Sequence, residues 1–201
     1  MIYGSNRVSN SWRLKSVPQL QPEESFNVEV PSGGTTTVLD DRVCFVMCDD
    51  SESNVMSANY RDGSISYKPF TTKMRIDYAV ASRNESIFIF GGCYYDREYM
   101  STCEKLDIVS GELTQLPDML SARCNASALN IPEIGIVVVG GSCKGNRQTT
   151  GSRYAEVLLE DPRNESGWRW IKLNPMLKAR NRPGVAILQR MHDCCWRGRK
   201  V

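Results

Sequence analysis

The chain has 201 residues, 41% hydrophobic and 24% charged, with a formal net charge of +2, an ordinary composition for a globular protein. No apolar run approaches the roughly 18–20 residues that span a bilayer. The opening Met1-Ile2-Tyr3-Gly4-Ser5-Asn6-Arg7 lacks the basic-then-apolar pattern of a secretory signal, so a cytoplasmic location without membrane contact is expected. The single histidine, His192, rules out a three-His metal site and leaves a Ser-His-Asp site no anchor except near the C-terminus.

Charge is divided along the chain. Residues 1–120 carry 11 Lys/Arg and 17 Asp/Glu, a net of −6, and residues 121–201 carry 14 and 6, a net of +8. The basic side chains are scattered, and the densest cluster is Trp196-Arg197-Gly198-Arg199-Lys200, so no nucleic-acid partner is expected. Eight cysteines occur without any Cys-x-x-Cys pair, and Cys194-Cys195 with His192 lacks tetrahedral zinc spacing. They are read as reduced thiols, with no metal and no cofactor. Cys44 and Cys48, evenly spaced in a strand-like stretch, are expected to be buried small side chains.

Residues 1–25 read as the end of a repeat, marked by Trp12-Arg13-Leu14-Lys15-Ser16-Val17-Pro18, followed by an irregular segment. Residues 26–74 form a degenerate repeat. Arg42-Val43-Cys44-Phe45-Val46-Met47 is its apolar run, Asn59-Tyr60-Arg61-Asp62-Gly63 a turn, and Lys73-Met74-Arg75 its close. Residues 75–122 form a full repeat with strands expected at 78–82, 86–90, 103–107 and 113–116, separated by turn residues. Its run Ser86-Ile87-Phe88-Ile89-Phe90 ends in Gly91-Gly92, and Leu116-Pro117-Asp118-Met119 then leads to Arg123. In residues 123–179 the order returns: Gly135-Ile136-Val137-Val138-Val139 ends in Gly140-Gly141, then come Trp168, Trp170 and Leu173-Asn174-Pro175-Met176, leading to Arg180. Residues 180–190 begin a further copy, and 191–201 are a tail outside the repeat.

A period near ~50 residues, with a double glycine and later aromatics, is the kelch signature. Over about residues 26–190 the sequence resembles the kelch family, most closely the kelch-like (BTB–kelch) adaptors of cullin-3 ubiquitin ligases. The resemblance implies an all-β fold: a partial kelch β-propeller of about three four-stranded antiparallel blades with incomplete terminal strands. Gly91, Gly92, Gly140 and Gly141 are expected as structural turns, since a residue without Cβ reaches positive φ and lets backbone approach closely. Cys48-Asp49, standing in place of the glycines, is expected to distort or loosen the first turn. Propellers close with about four to eight blades, so three imply a fragment or a ring completed by another chain, with exposed strand edges and poor solubility.

Chemical motifs fail on inspection. Asp50-Ser51-Glu52-Ser53-Asn54 lacks the glycine and terminal glutamate of a calcium loop. Gly140-Gly141-Ser142-Cys143-Lys144-Gly145 lacks the ending of a phosphate loop. The glycosylation sequons at Asn84, Asn125 and Asn164 are read as chance matches. Some kelch-type propellers are copper oxidases, but one histidine cannot supply their ligand set. The chain is therefore expected not to be an enzyme.

Binding residues are sought in the loops. Tyr94, Tyr95, Arg97 and Tyr99 follow the first double glycine and Arg147 lies beyond the second, in residue types that dominate interface hot spots. One of Tyr95 and Tyr99 has an alternative as an inward-packing side chain. The resemblance adds the residues after each Met…Arg close: Arg75 and Asp77, Arg123 and Asn125, and Arg180, Asn181 and Arg182. Asp77 stands where a basic or amide group is expected, against an acidic peptide at that blade. The repeated arginines have a second reading, as structural pairs between blades. The expected function is a protein–protein interaction module that recognises a substrate degron, reaching cullin-3 only through a domain outside these residues. The alternative is a scaffold bound to actin or another cytoskeletal protein.

Overall fold

The structure is a computed structural model that describes residues 2–3, 11–14, 26–29, 34–49, 53–96, 98–143 and 151–187. Its two compact units are Met1–Lys73 and Met74–Val201. All regular structure among the described residues is β, and no helix there is long and apolar enough to cross a membrane.

In the first unit, β1 (Ile2–Tyr3), β2 (Ser11–Leu14) and β3 (Phe26–Glu29) make a three-stranded antiparallel sheet in that order. The Trp12 segment is its middle strand, and Phe26–Glu29 pairs back onto it, with Leu14 opposite Phe26. The sheet that follows is a meander of β4 (Thr35–Leu39), β5 (Arg42–Met47), β6 (Ser53–Asn59) and β7 (Ile65–Phe70). Alternation sends Val43, Phe45, Met56 and Ala58 to one face, with Tyr60 against them. On the other face Cys44 Sγ lies 3.4 Å from Ser57 Oγ, and burial pushes its thiol pKa up.

The turn that begins at Cys48-Asp49 runs on through residues 50–52, outside the described residues, but the strands it joins are paired along their length. β5 and β6 stay paired from Arg42–Asn59 to Met47–Asn54. Ser53 Oγ accepts from Asp49 N–H and donates to Asp49 C=O, both at 3.1 Å. Only five residues link these strands, so the chain needs no left-handed glycines to start a long excursion.

The second unit contains two blades. The first has β8 (Ala79–Arg83), β9 (Ser86–Phe90), β10 (Cys103–Asp107) and β11 (Leu113–Leu116). Three of these match the expected spans, and β8 lies one residue later than 78–82. After β12 (Arg123–Cys124) the second blade follows, with β13 (Ser127–Ile131), β14 (Gly135–Val139), β16 (Ala155–Glu160) and β17 (Trp168–Lys172); the short β15 (Ser142–Cys143) pairs with β12. Both are antiparallel meanders, and their first strands, β8 and β13, are neighbours. This is the all-β, four-stranded blade architecture of a partial kelch propeller.

The two blades share one core. Ala79, Ala81, Phe88, Phe90, Cys103 and Leu116 of the first face Ile136, Val138 and Leu158 of the second. Trp168 and Trp170 cover this seam from β17. Their rings meet Phe88 and Phe90 edge-on, with centroids 5.4 and 5.8 Å apart, a geometry that adds about 0.5–1.5 kcal/mol per pair beyond burial. Trp170 Nε1 also donates to Pro117 C=O at 2.8 Å, so the indole's polar edge is satisfied.

Candidate functional site

The site lies where one repeat hands over to the next. Arg75-Ile76-Asp77, Arg123-Cys124-Asn125 and Arg180-Asn181-Arg182 occupy equivalent places. Gly92 N–H donates to Arg123 C=O and Gly141 N–H to Arg180 C=O, each at 3.0 Å. These glycines have φ of +101° and +90°, and a Cβ on Gly141 would sit 2.5 Å from Cys124 O. Gly91 and Gly140 also have positive φ.

Two residues beyond each arginine the backbones form a ladder. Asn125 N–H donates to Asp77 C=O at 2.7 Å, and Arg182 N–H donates to Asn125 C=O at 3.0 Å. Asp77, Asn125 and Arg182 have φ of +56°, +55° and +52°, the same left-handed conformation in successive repeats. Their side chains converge as well. Arg182 Nε donates to Asn125 Oδ1 at 2.7 Å, Arg182 Nη2 to Asp77 Oδ1 at 3.0 Å, and Asn125 Nδ2 to Cys124 Sγ at 3.3 Å. Left-handed φ is costly for a non-glycine residue, and short polar side chains such as Asp and Asn tolerate it best. At Arg182 two side-chain hydrogen bonds and one main-chain bond oppose that cost.

Two of the three arginines that precede this ladder, Arg75 and Arg123, turn inward. Arg75 Nη2 donates to Glu104 at 2.6 Å, and Gln115 Nε2 satisfies the other carboxylate oxygen at 2.7 Å. Arg123, only 1% exposed, pairs with Glu156 and donates to Ser121 Oγ at 2.6 Å, while Leu120 N–H donates to the second Glu156 oxygen at 2.9 Å. Burial pushes the Glu156 carboxyl pKa up, and the Arg123 guanidinium pulls against it. Arg123 thus has a structural partner and is withdrawn from the surface, paired within its own repeat rather than between blades. The reason is geometric, because the same position in each of these two repeats faces a glutamate on the blade's third strand.

The remaining candidates divide. Tyr95 is 74% exposed, whereas Tyr94 and Tyr99 are half-buried. Their loop folds back on itself, Cys93 bridging Tyr99 and Tyr94 N–H donating to Glu98 C=O at 3.1 Å. Asn181 and Arg182 are exposed and Arg180 is half-buried. Arg97 and Arg147 lie outside the described residues. Tyr154 is a residue the sequence did not single out. Arg123 and Lys172 lie 5.9 and 5.6 Å from its ring centroid, in a cleft of about 190 Å³ lined also by Leu120, Ser121 and Glu156. The aromatic position of Tyr154 two residues before buried Glu156, just ahead of β16, was the available signal.

Beneath the ladder, one ligand atom each from Asp77, Cys93 and Cys124 lie within 4.8 Å of one another, a set able to hold a cation. Burial, then the adjoining Cys93 thiol, push the Cys124 thiol pKa up to about 12. Sequence spacing hid this group, because its members are joined only by the register of successive repeats. Cys93 follows a double glycine, and Cys124 follows a repeated arginine.

Residues 74–120 match the family model of the kelch motif. That span contains the first blade of the second unit and its buried Arg75–Glu104 pair, and it supports a kelch-repeat protein. A kelch motif points to a protein–protein interaction module. No curated protein matches the chain.

Proposed function

We propose that this chain is the substrate-recognition part of a kelch-like adaptor of a cullin-3 ubiquitin ligase, working in the cytoplasm. The observation that carries the reading is the Asp77–Asn125–Arg182 ladder. It presents Arg182, with 70% of its side chain exposed, and its exposed neighbour Asn181 in fixed register at the hand-over between repeats. A planar guanidinium held by two hydrogen bonds loses less freedom on binding than a free side chain, so it offers a partner a preorganised donor. Exposed Tyr95 adds a rigid aromatic of the kind enriched at hot spots. Kelch repeats are generally non-enzymatic, in keeping with a binding role.

The test is purification of the endogenous protein under mild conditions, alongside a form carrying Arg182→Ala and Tyr95→Ala. The reading expects cullin-3 with both forms and a further protein with the unaltered form alone. Absence of cullin-3 from both overturns the adaptor, and co-sedimentation with actin filaments would then favour the cytoskeletal scaffold.

A further inference from the structure

We propose that Asp77, Cys93 and Cys124 bind a thiophilic divalent cation of the zinc class, through two thiolates and one carboxylate. This goes beyond the interaction role and does not depend on it. The ligand atoms all lie within 4.8 Å of one another. A tetrahedral zinc with Zn–S near 2.3 Å and Zn–O near 2.0–2.2 Å sets its ligand atoms about 3.5–3.8 Å apart, a spacing that small side-chain rotations can reach from here. Cys93 and Cys124 are 3% and 4% exposed. The Asp77 side chain is 34% exposed and gives the cation an entry side. Three protein ligands leave a fourth position for water or for a donor from a partner.

The fold holds these groups rigidly. Cys93 exchanges two main-chain hydrogen bonds with Ile76, both 2.9 Å, and Cys124 pairs with Ser142 across β12 and β15. The surrounding polar groups suit a loaded site. Asn125 Nδ2 already donates to Cys124 Sγ, the hydrogen bond that favours a thiolate, and Arg182 holds Asp77 Oδ1, leaving Oδ2 for the metal. Outer contacts of this kind orient ligands and tune affinity. Charge also closes: both thiols release their protons to solvent, so a dication with two thiolates and one carboxylate carries one negative charge, and Arg182 faces it. Two soft sulfurs select zinc or cadmium over magnesium or calcium.

The experiment is a cadmium titration of the purified full chain, kept reduced with a phosphine, following the thiolate-to-metal charge-transfer band in the ultraviolet. Every form carries Cys194→Ser and Cys195→Ser, so that the tail thiols do not contribute. One equivalent of cadmium is expected to saturate the band, and magnesium to leave it unchanged. Cys93→Ser and Cys124→Ser should each reduce the band by at least half. Asn125→Ala keeps all three ligands and should weaken cadmium binding about 10–100-fold. Asp77→Asn should weaken it while both thiols remain, and matched circular dichroism checks that each form is folded. No band in the parent, or an equal band in the Cys93→Ser/Cys124→Ser double variant, overturns the site. An unchanged affinity in Asp77→Asn overturns its carboxylate ligand.

Discussion

Arg182 Nη2 donates to Asp77 Oδ1 at 3.0 Å across 105 residues of sequence, and the carbonyl-to-amide ladder through Asn125 joins the same two residues. An ion pair this exposed contributes only about 0.2–1 kcal/mol to folding. Its effect is on geometry, since it fixes the direction of a cationic side chain.

Arg182→Ala should therefore leave the unfolding midpoint within a few degrees of the parent, by thermal circular dichroism. Affinity for a protein partner retained by the unaltered chain should fall at least tenfold, as expected of an arginine anchor. A large loss of stability with no loss of binding would refute the separation of roles.

The buried Arg123–Glu156 pair should behave in the opposite way. Glu156→Gln strands a buried guanidinium and should cost about 3–5 kcal/mol in denaturant unfolding. Replacing both, as Arg123→Met with Glu156→Leu, removes the unpaired charge and should recover most of that loss. If the double variant were as unstable as the single one, the pair's hydrogen bonds rather than its charge would dominate.

Two glycines separate backbone strain from collision. Gly167 has φ of +71° and nothing within 4 Å of the place a Cβ would take, while Gly141 has φ of +90° and a backbone oxygen 2.5 Å from that place. Gly167→Ala should cost about 1 kcal/mol from conformation alone. Gly141→Ala should cost clearly more, because the Cys124 carbonyl must move with it. Equal costs in urea titrations would mean that the turn relaxes freely.

Acid should weaken the β10–β11 hairpin. Asp107 accepts from Val109 N–H, Ser110 N–H and Ser110 Oγ at 2.9, 2.7 and 3.0 Å. Those hydrogen bonds, led by the Ser110 amide and helped by the charge of Lys105, hold its pKa below the ordinary 3.8. A carboxylate depressed in the folded state stabilises above its unfolded pKa, and that contribution disappears as pH falls through the lower folded value. Asp107→Asn should remove this part of the acid sensitivity, so parent and variant midpoints should converge below pH 3.8. A constant gap between the two curves would exclude the linkage.

Much of this architecture was legible in the repeat, because strand runs and double glycines obey local rules. Ser86–Phe90, Cys103–Asp107 and Leu113–Leu116 were placed to the residue for that reason. The equivalence of Asp77, Asn125 and Arg182 was legible too, from counting past each arginine. Their hydrogen bonds were not, since they depend on a left-handed φ at each position. Nor was the partner of Arg123, since Glu156 stands 33 residues away on β16. The Ser53–Asp49 hydrogen bonds, in the repeat that lacks the double glycine, were not legible either, since no motif records them.

Trp170 donates to Pro117 across 53 residues, and its ring lies against Phe90. This direction of dependence orders events at the ribosome. The β8–β11 blade has all its strands by Leu116, yet Phe88 and Phe90 lack their edge-on partners until Trp168 and Trp170 are made. At about 5–20 residues/s that interval lasts roughly 3–10 s. During it Phe88 and Phe90 are covered only in part, and a chaperone that binds aromatic side chains has its window there.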